Sequence, residues 1–137
     1  MDTLNRRQRS ERMALVRGKD TKPEWRVRRL AHGLGYRYRL HRRDLPGTPD
    51  LVFAGRRKVI CVHGCFWHRH KGCALARLPK SRSDFWVPKL VGNAERDARN
   101  FRALRRLGWG VLTIWECQSR DTARLTKRMR RFLDAKR

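Results

Sequence analysis

Two short apolar runs on either side of one turn decide what this chain can fold into: Asp50-Leu51-Val52-Phe53-Ala54 and Lys58-Val59-Ile60-Cys61-Val62, with Gly55 between them. Their β-branched content makes them strands rather than helix, and their separation makes them a hairpin. Upstream, Thr21-Lys22-Pro23-Glu24 has the form of a capping box with proline in the first turn. Val27, Leu30, Ala31 and Leu34 follow at helical spacing, so a helix is expected over about 22–33, stopped by Gly33 and Gly35. Tyr36-Arg37-Tyr38-Arg39-Leu40 alternates as a half-exposed strand would, and Leu45-Pro46-Gly47-Thr48-Pro49 is a turn.

Downstream of the hairpin, a Cys, His and aromatic-rich loop over 63–79 leads into a long helical pattern. Val91, Ala94, Ala98, Phe101, Leu104 and Leu107 are expected to share one face of that helix, which Gly108 ends. Trp109-Gly110-Val111-Leu112-Thr113-Ile114-Trp115 reads as a buried strand, and Leu125, Met129, Phe132 and Leu133 mark a basic amphipathic helix. Helix, three strands, helix, strand, helix predicts an α/β layer fold with a mixed sheet. At 137 residues the chain is one domain, read as 21–137 after a basic arm over 1–20.

Thirty-six Lys and Arg against 12 Asp and Glu leave a charge of +24, spread over every segment, so the partner is expected to be a polyanion. Charge alone fits ribosomal and membrane-surface proteins equally well. Five Trp speak against a purely electrostatic coat. No apolar stretch approaches the roughly 20 residues of a membrane span, and the chain start lacks a signal-peptide hydrophobic region. The expected location is cytoplasmic, with no membrane partner. In that reducing setting four unevenly spaced cysteines suggest metal before disulfides.

Cys65, His70 and Cys73 fall close together, and Cys117 follows the strand that ends at Trp115. Three thiolates and one imidazole fit a closed tetrahedral Zn²⁺ site, structural because no position stays open for water. The competing reading makes Cys73 and Cys117 ordinary half-buried thiols. Cys61 lies between Ile60 and Val62 in a core strand and is left out of the set.

Asp50 opens a strand directly after a turn, where a carboxylate can face a hard cation such as Mg²⁺. Pro-Asp also begins many strands for turn-forming reasons alone. Here the next strand ends at Val62-His63-Gly64, so its last carbonyl and His63 should emerge at the same sheet edge as Asp50. His68 lies five residues on and is suited to general-base work if a partner fixes its tautomer. Asp97 falls inside the apolar arc of Ala94, Phe101 and Leu104, and a carboxylate so placed needs a partner, either His68 or an arginine.

These residues sit in five blocks: Leu45-Pro46-Gly47-Thr48-Pro49-Asp50; His63-Gly64-Cys65-Phe66-Trp67-His68; Phe85-Trp86; Asn93-Ala94-Glu95-Arg96-Asp97; and Gly108-Trp109 through Trp115-Glu116-Cys117. In order and spacing the chain resembles the very-short-patch repair (Vsr) endonucleases from about Ser10 to Cys117. The resemblance implies a restriction-endonuclease-like core, a structural zinc, and Mg²⁺-dependent nicking of one strand 5′ of the thymine in a T:G mismatch, the lesion left when 5-methylcytosine deaminates. It implies that Asp50 and the backbone carbonyl of Val62 hold magnesium, that His68 activates water and Asp97 orients it, and that His63 and Glu24 support the site. Cys65, His70, Cys73 and Cys117 would bind the zinc. The departures are Val62, where better-known members carry threonine, and Lys71-Gly72 in the zinc loop.

The same resemblance implies double-stranded DNA as partner, a MutL-type mismatch-repair protein as a second one, and association with the nucleoid; the chain's size suggests a monomer. Phe66, Trp67 and Trp86, crowded by basic residues, are expected to stack on bases beside the mismatch rather than fill the core. Trp25, Trp109 and Trp115 are expected in the core or packed behind the site residues. By the resemblance Met13 and Val16, among the arginines of the N-terminal arm, would clamp the opposite groove, whereas on its own the segment reads as a frayed basic arm; Arg82, Arg96 and Arg99 would hold phosphates. Two other classes compete: a non-catalytic zinc-containing DNA-binding protein, and a nuclease of the same fold with another mismatch or site specificity. A binding module has no need of Asp50, His68 and Asp97 in one place.

Overall fold

The computed structural model describes residues 21–76 and 83–136. The N-terminal arm with Met13 and Val16, and Arg82, lie outside the described residues. Helix α1 spans Lys22–Gly33 and opens with the expected capping box: Thr21 Oγ1 accepts from the Glu24 N–H, and Glu24 Oε2 accepts from the Thr21 N–H at 2.7 Å. Val27 and Ala31 are buried at the i, i+4 spacing the sequence predicts.

Strands β1 (Arg39–Leu40), β2 (Leu51–Phe53), β3 (Lys58–His63) and β4 (Gly110–Trp115) form one sheet in that spatial order. β1–β2 and β2–β3 run antiparallel and β3–β4 parallel, which is the mixed sheet expected. The parallel step needs a crossover, and α2 (Ser83–Arg106) supplies it. The hairpin turn is a 3-10 turn over Ala54–Arg56, closed by Arg57 in left-handed conformation (φ 54°). The expected strand over 36–40 shrinks to two residues, because Tyr36 and Tyr38 leave the ladder to pack edge-on against Phe53.

Alternation along the central strands feeds two cores. Leu51, Phe53, Ile60 and Ile114 face α1 and the last helix, α3 (Thr122–Asp134), through Val27, Ala31, Leu125, Met129 and Leu133. Val52 and Val59 face the other way, onto Leu104, Trp109 and Leu45. Covering both faces explains why β2 is buried at all three positions.

The facing stripe of α2 differs from the one expected. Leu90 and Leu104 are fully buried with Phe101 beside them, whereas Val91, Ala98 and Leu107 are exposed. Apolar residues at neighbouring positions allow two stripes about one residue apart. The one that wins carries polar Asn93 and Asp97, because both have partners across the sheet edge. Trp25 is a second correction: it is 48% exposed on α1, with Arg28 and Arg29 over its ring. Trp109 is buried as expected and Trp115 is half-buried.

Lys58, a charged residue at the first position of β3, is buried. Its ammonium donates to the carbonyls of Phe132 (2.6 Å), Leu133 (3.2 Å) and Ala135 (2.5 Å), which are the orphan acceptors at the end of α3. Methionine in its place fills the same volume and leaves those carbonyls without the donor. Lys58→Met is expected to lower the unfolding free energy by about 2–3 kcal/mol. Urea denaturation measures it, and a change under about 0.5 kcal/mol would show that the carbonyls find water instead.

Candidate active site

The topology sets the place of the site. β2 starts where antiparallel β3 ends, so Asp50, just ahead of β2, meets Val62 and His63 at one sheet edge. Asp50 Oδ2 accepts from the Val62 N–H at 2.6 Å. The turn that delivers Asp50 is closed by Thr48 N–H donating to the Leu45 carbonyl. Gly47 in it has φ 75°, and a β-carbon there would stand 3.0 Å from Asn100 of α2, so both conformation and space call for glycine.

Glu24 comes to the same point from the first turn of α1, buried and oriented by the capping box. Ligand atoms of Glu24, Asp50 and His41 lie within 4.8 Å of one another. Burial, and then the Glu24 carboxyl beside it, push the Asp50 carboxyl well above the usual carboxylate range. Two carboxylates this close ionise together only when a positive charge joins them, which is what a hard divalent cation provides. The donor chemistry at Asp50 therefore suits such a cation.

His68 Nδ1 lies 2.5 Å from Asp97 Oδ2, so the partner of Asp97 is histidine rather than arginine. Asn93, one turn earlier on α2, donates to the Trp67 carbonyl at 3.1 Å and fixes the backbone next to His68. The His63 ring stacks on His68 at 3.8 Å between centroids and 11° between planes, with Phe101 on the same ring stack. Burial, and then the neighbouring His68, lower the His63 pKa to about 4. His63 is therefore neutral at physiological pH and supports His68 without adding charge. Asp50, His63, His68, Asp97 and Glu24 all line one cleft of about 1000 Å³, whose rim includes exposed Arg96.

Cys65, His70, Cys73 and Cys117 converge beside the cleft, each offering a ligand atom within 4.8 Å of the others, and all four cysteines of the chain are free thiols. His70 Nδ1 lies 3.6 Å from Cys65 Sγ and 3.5 Å from Cys117 Sγ. A tetrahedron with zinc–sulfur bonds of about 2.3 Å and zinc–nitrogen bonds of about 2.0–2.1 Å has an S···N edge of about 3.6 Å. Cys73 and Cys117 are thus gathered with Cys65 and His70, while Cys61 stays apart, buried in β3. The His70 ring stacks on Trp115 at 4.2 Å, and Glu116 Oε1 accepts from the Cys65 N–H at 3.2 Å.

Phe66, Trp67 and Trp86 form a mutual edge-to-face cluster with centroids 5.0–5.7 Å apart. Phe66 and Trp86 are half-buried and Trp67 is buried, so burial of Trp67 was underestimated from sequence. Phe85, 47% exposed, extends the cluster outward, with Lys89 over both it and Trp86. Sequence reasoning also missed His41, Arg28, Asn93 and Glu116. Only Asn93 and Glu116 had a signal there, each lying inside a block that also carries a site residue.

With this geometry in place, comparison with known proteins is specific. Residues 1–75 match the family model described as DNA mismatch endonuclease Vsr. The chain is 52% identical over 133 residues to the type II nicking enzyme V.XorIIP of Xanthomonas oryzae pv. oryzae, covering 97% of each chain. It is 42% identical over 125 residues to the DNA mismatch endonuclease Vsr of Escherichia coli K12, covering 91% of this chain and 80% of that one. In fold it is similar to the catalytic domain of the homing endonuclease I-Bth0305I, with TM-score 0.59, 20% identity, and coverage of 82% of this chain and 94% of that one.

Proposed function

The chain belongs to the Vsr family of DNA mismatch endonucleases, and from that premise we propose that it nicks one strand of duplex DNA 5′ of the thymine in a T:G mismatch, with Mg²⁺ as cofactor. The observation that carries the reading is His68, held by Asp97, in the same cleft as Asp50 and Glu24. A protein that only binds DNA has no use for a positioned imidazole opposite a pair of carboxylates.

In this reading Asp97 accepts the Nδ1–H of His68, which leaves Nε2 with its lone pair to take a proton from water. The water attacks the phosphorus, the P–O3′ bond breaks, and the leaving 3′ oxygen takes a proton from solvent to end as a 3′ hydroxyl beside a 5′ phosphate. His63 stacks against His68, and Phe101 backs the His63 ring from its own stack, which holds the plane of the His68 ring. Asp50 and the Val62 carbonyl hold the magnesium, and Glu24 supports Asp50. The bound cation supplies charge neutralisation at the phosphate. Cys65, His70, Cys73 and Cys117 bind a structural Zn²⁺ and leave no open position for catalysis. Phe66, Trp67 and Trp86 form the wedge at the mismatch, Phe66 and Trp86 offering the accessible faces. Met13 and Val16 act from the N-terminal arm, and Arg96 and Arg99 contact phosphate.

The test is nicking of a labelled duplex carrying one T:G mismatch beside its T:A control, with Mg²⁺ or EDTA. Wild type is expected to cut the T strand of the mismatched duplex alone and only with Mg²⁺. Asp50→Ala is expected to lose about 10³-fold or more in rate and still bind the duplex. Equal cutting of both duplexes would move the assignment to another specificity, and full activity of Asp50→Ala would remove Asp50 from the site.

A further inference from the structure

Behind the two carboxylates of the cleft stand a histidine and an arginine, outside its lining, to which the mechanism above gives no role. His41 follows β1 and faces both carboxylates: its Nδ1 is 3.8 Å from Asp50 Oδ1, and its Nε2 is 3.8 Å from Glu24 Oε1. Arg28, buried one helical turn after Glu24, places a guanidinium nitrogen 3.0 Å from His41 Nε2 and 3.9 Å from Glu24 Oε1. The His41 backbone is left-handed (φ 49°), a conformation that costs roughly 1–2 kcal/mol for a residue with a β-carbon. It is kept there by the His41 N–H donating to the Asp50 carbonyl at 3.4 Å. Strain held at a site by surrounding contacts points to use of the side chain it aims.

We propose that Arg28 and His41 are positioning residues that set the orientation of the Asp50 carboxylate for metal. Hydrogen-bond polarity fixes the roles of the two side chains. A guanidinium only donates, so the nitrogen it meets must accept. That assigns the His41 proton to Nδ1, the nitrogen facing Asp50 Oδ1. The other oxygen, Oδ2, already accepts from Val62 N–H. Asp50 thus has a hydrogen-bond donor from β3 on Oδ2, while Oδ1 faces the Nδ1–H of His41 at 3.8 Å, close enough to bias the carboxylate's orientation electrostatically and too long for a hydrogen bond. The same polarity keeps His41 from ligating: Nε2 is taken by Arg28 and Nδ1 carries hydrogen. Partners behind a ligating carboxylate typically change metal affinity or activity by about 10–100-fold when removed.

This inference rests on the reading that Asp50 holds the metal, so the experiment separates the two. Long-range ¹H–¹⁵N spectra of the zinc-loaded, DNA-free protein are expected to show His41 as the neutral Nδ1–H tautomer. Mn²⁺ titration of the same protein, followed by electron paramagnetic resonance, is expected to give His41→Gln close to wild type, since an amide can both accept from Arg28 and donate to Asp50. His41→Leu should bind Mn²⁺ about tenfold more weakly or worse, with duplex binding in EDTA unchanged. Asp50→Asn is the reference and should lose the site. Undiminished Mn²⁺ binding by Asp50→Asn would overturn the metal reading itself. Loss in Asp50→Asn with wild-type affinity in His41→Leu would overturn the positioning role alone. If His41→Leu does not fold, the tautomer decides: a proton on Nε2 refutes the proposal.

Discussion

Asp97→Asn is expected to slow single-turnover nicking of the T:G duplex by about 10³- to 10⁴-fold, while duplex binding in EDTA stays at the wild-type level. The size follows from tautomer control: in the Ser-His-Asp arrangement, the same exchange leaves geometry intact and costs about 10⁴ because the imidazole proton moves to the wrong nitrogen. Here Asp97 Oδ2 sits 2.5 Å from His68 Nδ1 and, as a carboxylate, only accepts. Asparagine can turn its amide toward Nδ1 and donate, which places the ring hydrogen on Nε2, the nitrogen required as base. The pair is partly exposed, 27% and 22% for the two side chains, so its contribution to folding is small and the loss should fall on rate. A drop under tenfold would mean that His68 works without Asp97, and that Asp97 is a structural anchor for the loop.

The route to that pair shows where a sequence is legible. Asp97 lies in a stripe with Phe101 and Leu104, and a carboxylate among apolar neighbours announces a partner; helical periodicity carries that information locally. The capping box is similar, since four consecutive residues both start α1 and orient Glu24. Element order and the mixed sheet followed from alternation and turns for the same reason. His41 had no such signal. Its place depends on a left-handed backbone after a two-residue strand, and on Arg28 arriving from a helix 13 positions away. Neither fact has a period.

Misreadings had one physical source, which is that burial depends on what lies opposite. Trp25 was expected inside because tryptophan usually is, yet its position on α1 points away from both cores, toward Arg28 and Arg29. Trp67 was expected to be free, and it is covered by Phe66 and Trp86 brought from 20 residues apart. Val91 and Leu107 suit the core of α2 by composition, but the sheet edge selects the stripe that lets Asn93 reach the Trp67 carbonyl and Asp97 reach His68.

Disrupting the proposed zinc site should do more damage to catalysis than any other change outside the cleft. His68 lies between two of the proposed ligands, Cys65 and His70, in a segment over 64–73 that has turns but no helix or strand. Such a segment loses roughly 1–2 kcal/mol per residue of backbone entropy on ordering, which the Phe66, Trp67 and Trp86 cluster offsets only in part. The proposed zinc would join it to Cys117, just past the end of β4, and structural zinc sites bind with free energies of about 10–16 kcal/mol in small domains. Cys117→Ser is therefore expected to lose its zinc, to lower Tm by about 15 °C or more, and to reduce nicking about 10³-fold because His68 no longer stays opposite Asp97. Cys61→Ala serves as the comparison for metal content, since Cys61 lies in β3 outside the cluster, lining the cleft instead, and should keep one zinc per chain. Metal content, melting and nicking measured on both variants separate the outcomes. Full activity in zinc-free Cys117→Ser would mean that Asp97 and Asn93 hold the loop unaided, and the cluster would then act only in folding.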